Sequence, residues 1–85
     1  MKIRLFIKPY CGWCDLATDW LDERDIKYEL IDVFFDRRGA FQEMVDLSGQ
    51  TRAPVIEVDG QILADFGPEE LEEFWKQFEA TDTNK

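Results

Sequence analysis

The 85-residue chain has no histidine and only two cysteines, and its 10 basic residues are outnumbered by 19 acidic ones. Because structural zinc needs four ligands, mostly Cys and His, two cysteines alone do not supply a site. The net charge of −9 argues against nucleic acid or an anionic membrane as partner, since both are bound through excess Lys and Arg. No apolar run approaches the roughly 20 residues that cross a bilayer. We expect one monomeric, cytoplasmic domain without a metal.

The start of the chain does not resemble a secretory signal. Arg4 interrupts a short strand-like segment of residues 3–7, whereas a signal peptide needs about 7–15 apolar residues and a small-residue cleavage site. Purely structural disulfides are typical of secreted, disulfide-dense domains. The two cysteines therefore indicate a redox site.

Both cysteines lie in residues 8–14, as Cys11 and Cys14. The segment before them is β-rich and a helical pattern follows, so the pair falls where a strand leads into a helix. The N–H groups and dipole at a helix N-terminus stabilise a thiolate, lowering a cysteine pKa from about 8.5 to roughly 3.5–7.5. We expect Cys11 to attack disulfides and Cys14 to resolve the mixed disulfide, while Lys8 adds a positive charge.

The remaining pattern predicts an α/β fold with the element order β-α-β-α-β-β-α. After the first strand, it predicts a helix over residues 13–24 and a strand over 28–31. A second helix is predicted over 37–47, with Asp36 as its N-cap and Gly49 as its C-terminal stop. Strands 55–58 and 61–63 are predicted to form a hairpin that turns at Asp59-Gly60, and a third helix is predicted to begin within residues 67–70 and to reach about residue 78. A strand–helix–strand crossover gives parallel strands, which puts the cysteines at an edge where α/β folds bind ligands. Residues 1–79 are predicted to form the domain and 80–85 a flexible polar tail.

This order, with Cys-x-x-Cys after strand one and Pro54 opening strand three, resembles the thioredoxin fold and, at this length, the glutaredoxin family. The resemblance implies a four-stranded mixed sheet flanked by three helices and a thiol–disulfide oxidoreductase. It implies that Cys11 is the nucleophile, Cys14 the resolving cysteine and Lys8 the lysine that precedes them. It also implies that Pro54 is cis and brings the Ala53 backbone beside Cys11, where a substrate pairs as an added strand.

Several positions depart from the usual family pattern. Arg52-Ala53 stands where Thr-Val is usual, and residues 64–68, Ala-Asp-Phe-Gly-Pro, stand where the family grips the γ-glutamyl end of glutathione with helix-start N–H groups and an acid. That segment is similar to the glutaredoxin-like redoxins that serve ribonucleotide reductase and are recycled by thioredoxin reductase. The residues expected to bind substrate or glutathione are Lys8, Tyr10, Trp13, Arg52, Ala53, Pro54, Asp65 and Phe66.

Aromatic residues are expected around the thiol. We predict that Tyr10, Trp13 and Phe66 form an apolar rim on which a protein partner docks. Phe34 and Phe35 are adjacent and cannot point the same way, so one is expected in the core and the other exposed near the site.

The resemblance implies an enzyme of cell redox homeostasis that reduces protein or glutathione mixed disulfides, with ribonucleotide reductase among the candidate substrates. No tightly bound cofactor is expected, glutathione being a co-substrate, and the electron donor is either glutathione or thioredoxin reductase. Arg37, Arg38 or Arg52 is a candidate anchor for a glutathione carboxylate. The alternative function is a homodimeric [2Fe–2S] carrier, in which two Cys11 thiolates and two glutathiones complete the cluster ligands.

Overall fold

The computed structural model describes residues 1–35 and 37–83, without the side chains of residues 37, 38 and 80–83. Its strands are β1 (Ile3–Ile7), β2 (Glu29–Asp32), β3 (Val55–Val58) and β4 (Gln61–Ala64), in the sheet order β2-β1-β3-β4. Its helices are α1 (Gly12–Glu23), α2 (Gln42–Ser48) and α3 (Pro68–Thr83), and a π-helical turn, Arg37–Phe41, precedes α2. The predicted mixed sheet with three helices is confirmed.

The sheet is parallel on one side and antiparallel on the other. β1 pairs with β2 in parallel, and β3 pairs antiparallel with both β1 and β4. The β3–β4 hairpin turns at Asp59 and Gly60, whose φ angles of 49° and 88° are the two positive values that a type I′ turn requires. Because Val55 pairs with Phe6, β3 begins at the edge where β1 ends and the cysteine segment follows.

Alternate residues of the central strands fill two cores on opposite faces of the sheet. Leu5 and Ile56 are buried in the larger cluster with residues of α1 and α3. Phe6 and Val55 are buried in the smaller cluster with residues of α2. Burying one such side chain contributes about 1.5–3 kcal/mol. Both faces of the short sheet are therefore covered, which fixes the end of β1 relative to the helices.

Two helices differ from their predicted bounds. The segment predicted as one helix from residue 37 begins as a π-helical turn, and the α-helix starts only at Gln42; the predicted cap, Asp36, lies outside the described residues. Gly49 ends α2 as predicted, with a left-handed φ of 74°. The third helix continues to Thr83, so residues 80–83, predicted as tail, extend it. The sequence has no Gly or Pro after Pro68 that would stop this helix earlier.

Within the described part of the chain, no helix is long and apolar enough to cross a membrane.

Candidate functional site

The two cysteines lie at the start of α1, directly beyond the end of β1. Cys11 is the N-cap of α1, with extended φ and ψ of −114° and 104°, and its Sγ accepts a hydrogen bond of 3.1 Å from the backbone N–H of Cys14. The preceding Tyr10 has a left-handed φ of 56°, a rare value for a residue with a Cβ, and its ring is fully exposed. The chain reverses at Tyr10 and presents the Cys11 sulfur to the first N–H groups of the helix.

Cys11 and Cys14 form a disulfide and differ in exposure. Their Cα atoms are 5.2 Å apart, within the usual range for a disulfide. Cys14 is only 2% exposed because it lies one turn inside α1, whereas Cys11 is partly exposed. A molecule approaching from solvent therefore reaches Cys11 first, as the sequence predicted.

Pro54 lies at the same edge of the sheet, immediately before β3. The Ala53–Pro54 peptide bond is cis, as predicted. The Pro54 carbonyl accepts a hydrogen bond of 2.9 Å from the backbone N–H of Asp65, which ties the start of β3 to the end of β4. Lys8 Nζ donates to the Thr51 carbonyl at 2.6 Å, so this cation contacts the loop that leads into Pro54.

The predicted aromatic rim is only partly confirmed. Tyr10 is fully exposed and Trp13 is 58% exposed, as expected for a docking surface. Phe66 is 3% exposed and belongs to the larger core cluster, so its predicted place on the rim is wrong. Asp65 has a left-handed φ of 53°, and this sharp bend just before Phe66 separates an exposed residue from a buried one.

The prediction that either Phe34 or Phe35 enters the core is also wrong. Both are exposed, at 52% and 83%, and their rings pack edge to face with centroids 5.8 Å apart. They lie in a turn after β2, where Val33 is the buried residue and the Asp32 carboxylate accepts a 2.9 Å hydrogen bond from the Phe34 N–H. Two adjacent phenylalanines are therefore held at the surface.

One of the arginines expected to anchor glutathione, Arg52, is engaged within the chain. Arg52 Nη1 lies 3.2 Å from Asp65 Oδ2, so these two predicted binding residues form an exposed ion pair with each other. The side chains of Arg37 and Arg38, the other predicted anchors, lie outside the described residues.

Glu70 lies beside the candidate site and was not among the residues predicted from the sequence. Its Oε1 accepts a hydrogen bond of 2.7 Å from the backbone N–H of Gly67, at the start of α3. The spacing could have revealed it, because an acid at the third helical position reaching back to the cap N–H is half of a capping box. Gly67 also contacts the redox segment, since a Cβ added there would lie 2.7 Å from Cζ3 of Trp13.

No group of three or more His, Cys, Asp or Glu side chains that could hold a metal occurs in the part of the chain that the structure describes.

The fold and the Cys11–Cys14 pair define a thioredoxin-fold redox protein, and comparisons with known proteins identify its family. The family model described as Glutaredoxin matches residues 3–63. An uncharacterized glutaredoxin-like 8.6 kDa protein in the rubredoxin operon of Clostridium pasteurianum is 31% identical over 70 residues, which cover 82% of this chain and 92% of that protein. The chain belongs to the glutaredoxin family.

Solved structures agree with this assignment at the level of the fold. The thioredoxin-like protein BC3987 superimposes with a TM-score of 0.77 at 26% identity, over 85% of this chain and 97% of that one. The glutaredoxin-like protein NrdH-redoxin from Escherichia coli superimposes with a TM-score of 0.68 at 22% identity, over 86% of this chain and 93% of that one.

Proposed function

We propose that this protein is a dithiol reductase of protein and glutathione mixed disulfides, in which Cys11 attacks and Cys14 resolves. The observation that carries the proposal is the contrast between a partly exposed sulfur at the N-cap of α1 and a partner sulfur that is 2% exposed. A Cys11 thiolate gains the Cys14 N–H and the positive end of the helix dipole, both of which favour the anion. Cys14 is shielded from outside disulfides.

The proposed reaction transfers two electrons in two exchange steps. In the first, the Cys11 thiolate attacks one sulfur of the substrate disulfide, a mixed disulfide forms, and the other substrate sulfur leaves as a thiolate that takes up a proton. In the second, Cys14 loses its proton and attacks Cys11 Sγ, which releases the remaining substrate thiol and forms the Cys11–Cys14 disulfide. A reductase or two thiols must then return two electrons.

We further propose that thioredoxin reductase returns these electrons at least as well as glutathione. The family resemblance implies that the γ-glutamyl carboxylate of glutathione binds N–H groups at the start of the third helix. In this chain the Gly67 N–H already donates to Glu70, and Pro68 has no N–H to offer. Arg52 is paired with Asp65, so a carboxylate must compete for this guanidinium as well. Each of these three features is expected to weaken glutathione binding, and none of them blocks the Cys11 sulfur.

The thioredoxin-like activity profile described for the Escherichia coli NrdH-redoxin is consistent with this proposal, although that likeness, at 22% identity, is one of fold. In this chain, Glu70, Pro68 and the Arg52–Asp65 pair support the proposal.

The experiment is a comparison of electron donors. NADPH consumption is followed with this protein and a protein disulfide such as insulin, coupled either to glutathione plus glutathione reductase or to thioredoxin reductase alone. We expect the second rate to equal or exceed the first. Brisk turnover with glutathione and none with thioredoxin reductase contradicts the donor proposal, while no turnover with either donor contradicts the reductase itself.

A second function is consistent with the same exposure pattern. Only one sulfur per chain is accessible, which matches a [2Fe–2S] cluster held by Cys11 from each of two protomers together with two glutathiones. Anaerobic reconstitution with iron, sulfide and glutathione, followed by a visible absorption spectrum, tests this function. A colourless monomer after reconstitution contradicts it.

A further inference from the structure

An open groove of about 740 Å³ lies beside the redox segment, on the side of α2. Its walls include four aromatic side chains, those of Tyr10, Phe34, Phe35 and Phe41, and Lys8 also lines it. Tyr10 lines the groove and immediately precedes Cys11 in the chain. A protein partner whose disulfide reaches Cys11 therefore has part of its chain within reach of this groove.

Among the aromatic walls, Phe41 packs against the smaller core cluster, whereas the exposure of Phe34 and Phe35 is not explained by the core. Phe34 and Phe35 are exposed by 52% and 83%, yet their rings pack against each other and the Asp32 carboxylate holds their turn. Exposed apolar patches of this kind mark surfaces that bind a partner. A small polar thiol such as glutathione has no large apolar side chain to cover them, whereas a protein segment with an aromatic or branched residue has.

Lys8 gives the groove a local charge opposite to that of the whole protein. It is the one charged residue among those described as lining the groove, and its Nζ lies 5.5 Å from the centroid of the Phe41 ring. An ammonium carries three donors, and the Thr51 carbonyl accepts from one of them. The chain as a whole carries −9, so a cation that lines this groove favours an acidic group locally, against the charge of the rest of the protein.

We propose that this groove binds the segment of a protein substrate next to its disulfide cysteine, and selects segments that carry a large apolar side chain beside an acidic residue. The inference rests on the proposed function, because it names the substrate class of the same thiol. Phe34 and Phe35 contact the apolar side chain, and Lys8 contacts the carboxylate.

The test uses short peptides whose single cysteine is activated as a mixed disulfide with 2-thiopyridine. The Cys11 thiolate displaces 2-thiopyridone, whose absorbance reports the rate; Cys14 then displaces the peptide thiol, so the protein dithiol is oxidised as the activated disulfide is reduced. The peptides differ only in the two residues beside the cysteine, which are Phe-Asp, Ser-Asp or Phe-Lys. Each of these dipeptides is tested in two peptides, one with the dipeptide before the cysteine and one with it after. In the preferred placement, we expect Phe-Asp to react about tenfold faster than Ser-Asp.

The Phe-Lys peptide distinguishes the effect of a local charge in the groove from the long-range effect of the protein's net charge on the rate. The net charge of −9 attracts a basic peptide, so a lower rate with Phe-Lys than with Phe-Asp has the opposite sign to the long-range effect and indicates a local cation at the groove. We expect this difference to be about threefold and to fade with added salt. A faster Phe-Lys peptide contradicts the acidic part of the proposal.

Matched variants locate the preference on the surface. Phe35→Ser should reduce the ratio of Phe-Asp to Ser-Asp rates severalfold, whereas Leu30→Ser, which removes a 52% exposed apolar side chain that does not line the groove, should leave that ratio unchanged. Equal rates for all peptides, or a ratio that survives both Phe34→Ser and Phe35→Ser, overturn the inference. Sedimentation as a dimer that Phe35→Ser dissociates also overturns it, because a second copy then occupies the groove. Failure to release thiopyridone from any peptide contradicts the proposed function instead.

Discussion

The indole of Trp13 packs over Gly67 so closely that a Cβ on Gly67 would lie 2.7 Å from Cζ3 of the ring. Trp13 lies between the two cysteines, and Gly67 immediately precedes α3. The contact therefore joins the redox segment to the start of α3, although 58% of Trp13 is exposed to solvent.

We predict that Gly67→Ala displaces the Trp13 ring at a small cost in stability. The ring is the end of an exposed side chain and can move, so the free energy of unfolding should fall by only about 1 kcal/mol, including the poorer helix cap that Ala provides. In a Trp13→Ala background, the cost of the poorer helix cap should remain, whereas the cost of displacing the Trp13 ring should vanish. Urea unfolding of the four proteins should give a coupling of about 0.5–1 kcal/mol; strict additivity contradicts the contact.

A second prediction concerns the roles of the two cysteines. In the reduced protein, iodoacetamide near neutral pH should label Cys11 first, because it is partly exposed at the N-cap whereas Cys14 is 2% exposed. Peptide mass spectrometry after brief labelling identifies the alkylated residue. Faster labelling of Cys14 would reverse the assignment.

The matching variants test the same roles by reactivity. Cys11→Ser should lose disulfide exchange, since the remaining sulfur is shielded. Cys14→Ser should accumulate a mixed disulfide that only an outside thiol releases. Intact-mass measurement detects this adduct, and disulfide reductase activity retained by Cys11→Ser would exclude the two-step mechanism.

A third prediction concerns the ion pairs that join α2 to the sheet. Arg4 donates through Nε to Glu57 at 2.6 Å and through Nη1 to Glu43 of α2 at 2.8 Å, and the Arg4 and Glu57 side chains are only 17% and 16% exposed. Arg4→Met, which keeps the apolar stem, should lower the free energy of unfolding by about 1.5–3 kcal/mol because two carboxylates lose their donor.

Arg24→Met is the control for this variant. Arg24 lies over the Trp20 ring, but its carboxylate partners are 3.8 and 3.9 Å away and exposed. The expected loss is about 1 kcal/mol or less. Equal losses of unfolding free energy for the two variants, measured by urea unfolding, would show that the ion pairs of Arg4 contribute no more to stability than the exposed contacts of Arg24.

The sequence predicted those features that depend on local geometry. The periodicity of apolar residues and the helix stop at Gly49 predicted most helices and strands. The Cys-x-x-Cys spacing predicted that one sulfur lies at the cap of α1 and the other inside the helix. The prediction for Phe34 and Phe35 was wrong because strand-like alternation of buried and exposed side chains does not apply to them: they follow Val33 in a turn. The burial of Phe66 depends on how the chain after β4 packs against other elements, which periodicity does not encode.

A fourth prediction concerns the ionisation of Tyr28. Partial burial, and then the 3.0 Å hydrogen bond to Asp22, raise the pKa of the Tyr28 phenol above its ordinary value of about 10. The folded state therefore keeps this proton at a pH where the unfolded chain has lost it, so the stabilisation is complete below about pH 10 and falls as the pH rises further. In Tyr10→Phe, ultraviolet titration of the remaining phenol should show the raised midpoint. Adding Asp22→Asn should lower that midpoint; an unchanged value contradicts the role of Asp22.

The last prediction concerns Glu70, whose carboxylate accepts the 2.7 Å hydrogen bond from the Gly67 N–H. Glu70→Ala frees this N–H for a carboxylate from solution, so turnover with glutathione should rise about tenfold or more relative to turnover with thioredoxin reductase, because a charge-assisted hydrogen bond of about 1.5–3 kcal/mol becomes available. The same variant should lose about 0.5–2 kcal/mol of unfolding free energy with the cap.

Glu69→Ala is the matched control for Glu70. Glu69 is an exposed acid of the same first turn, so its removal changes the net charge and the interaction with the helix dipole by the same amount. The donor ratio should stay unchanged in this variant. Glu70→Gln, whose amide oxygen can still accept from Gly67, should fall between the wild type and Glu70→Ala. If Glu69→Ala raises glutathione turnover as much as Glu70→Ala does, general charge repulsion governs the choice of donor and the occupied Gly67 N–H does not.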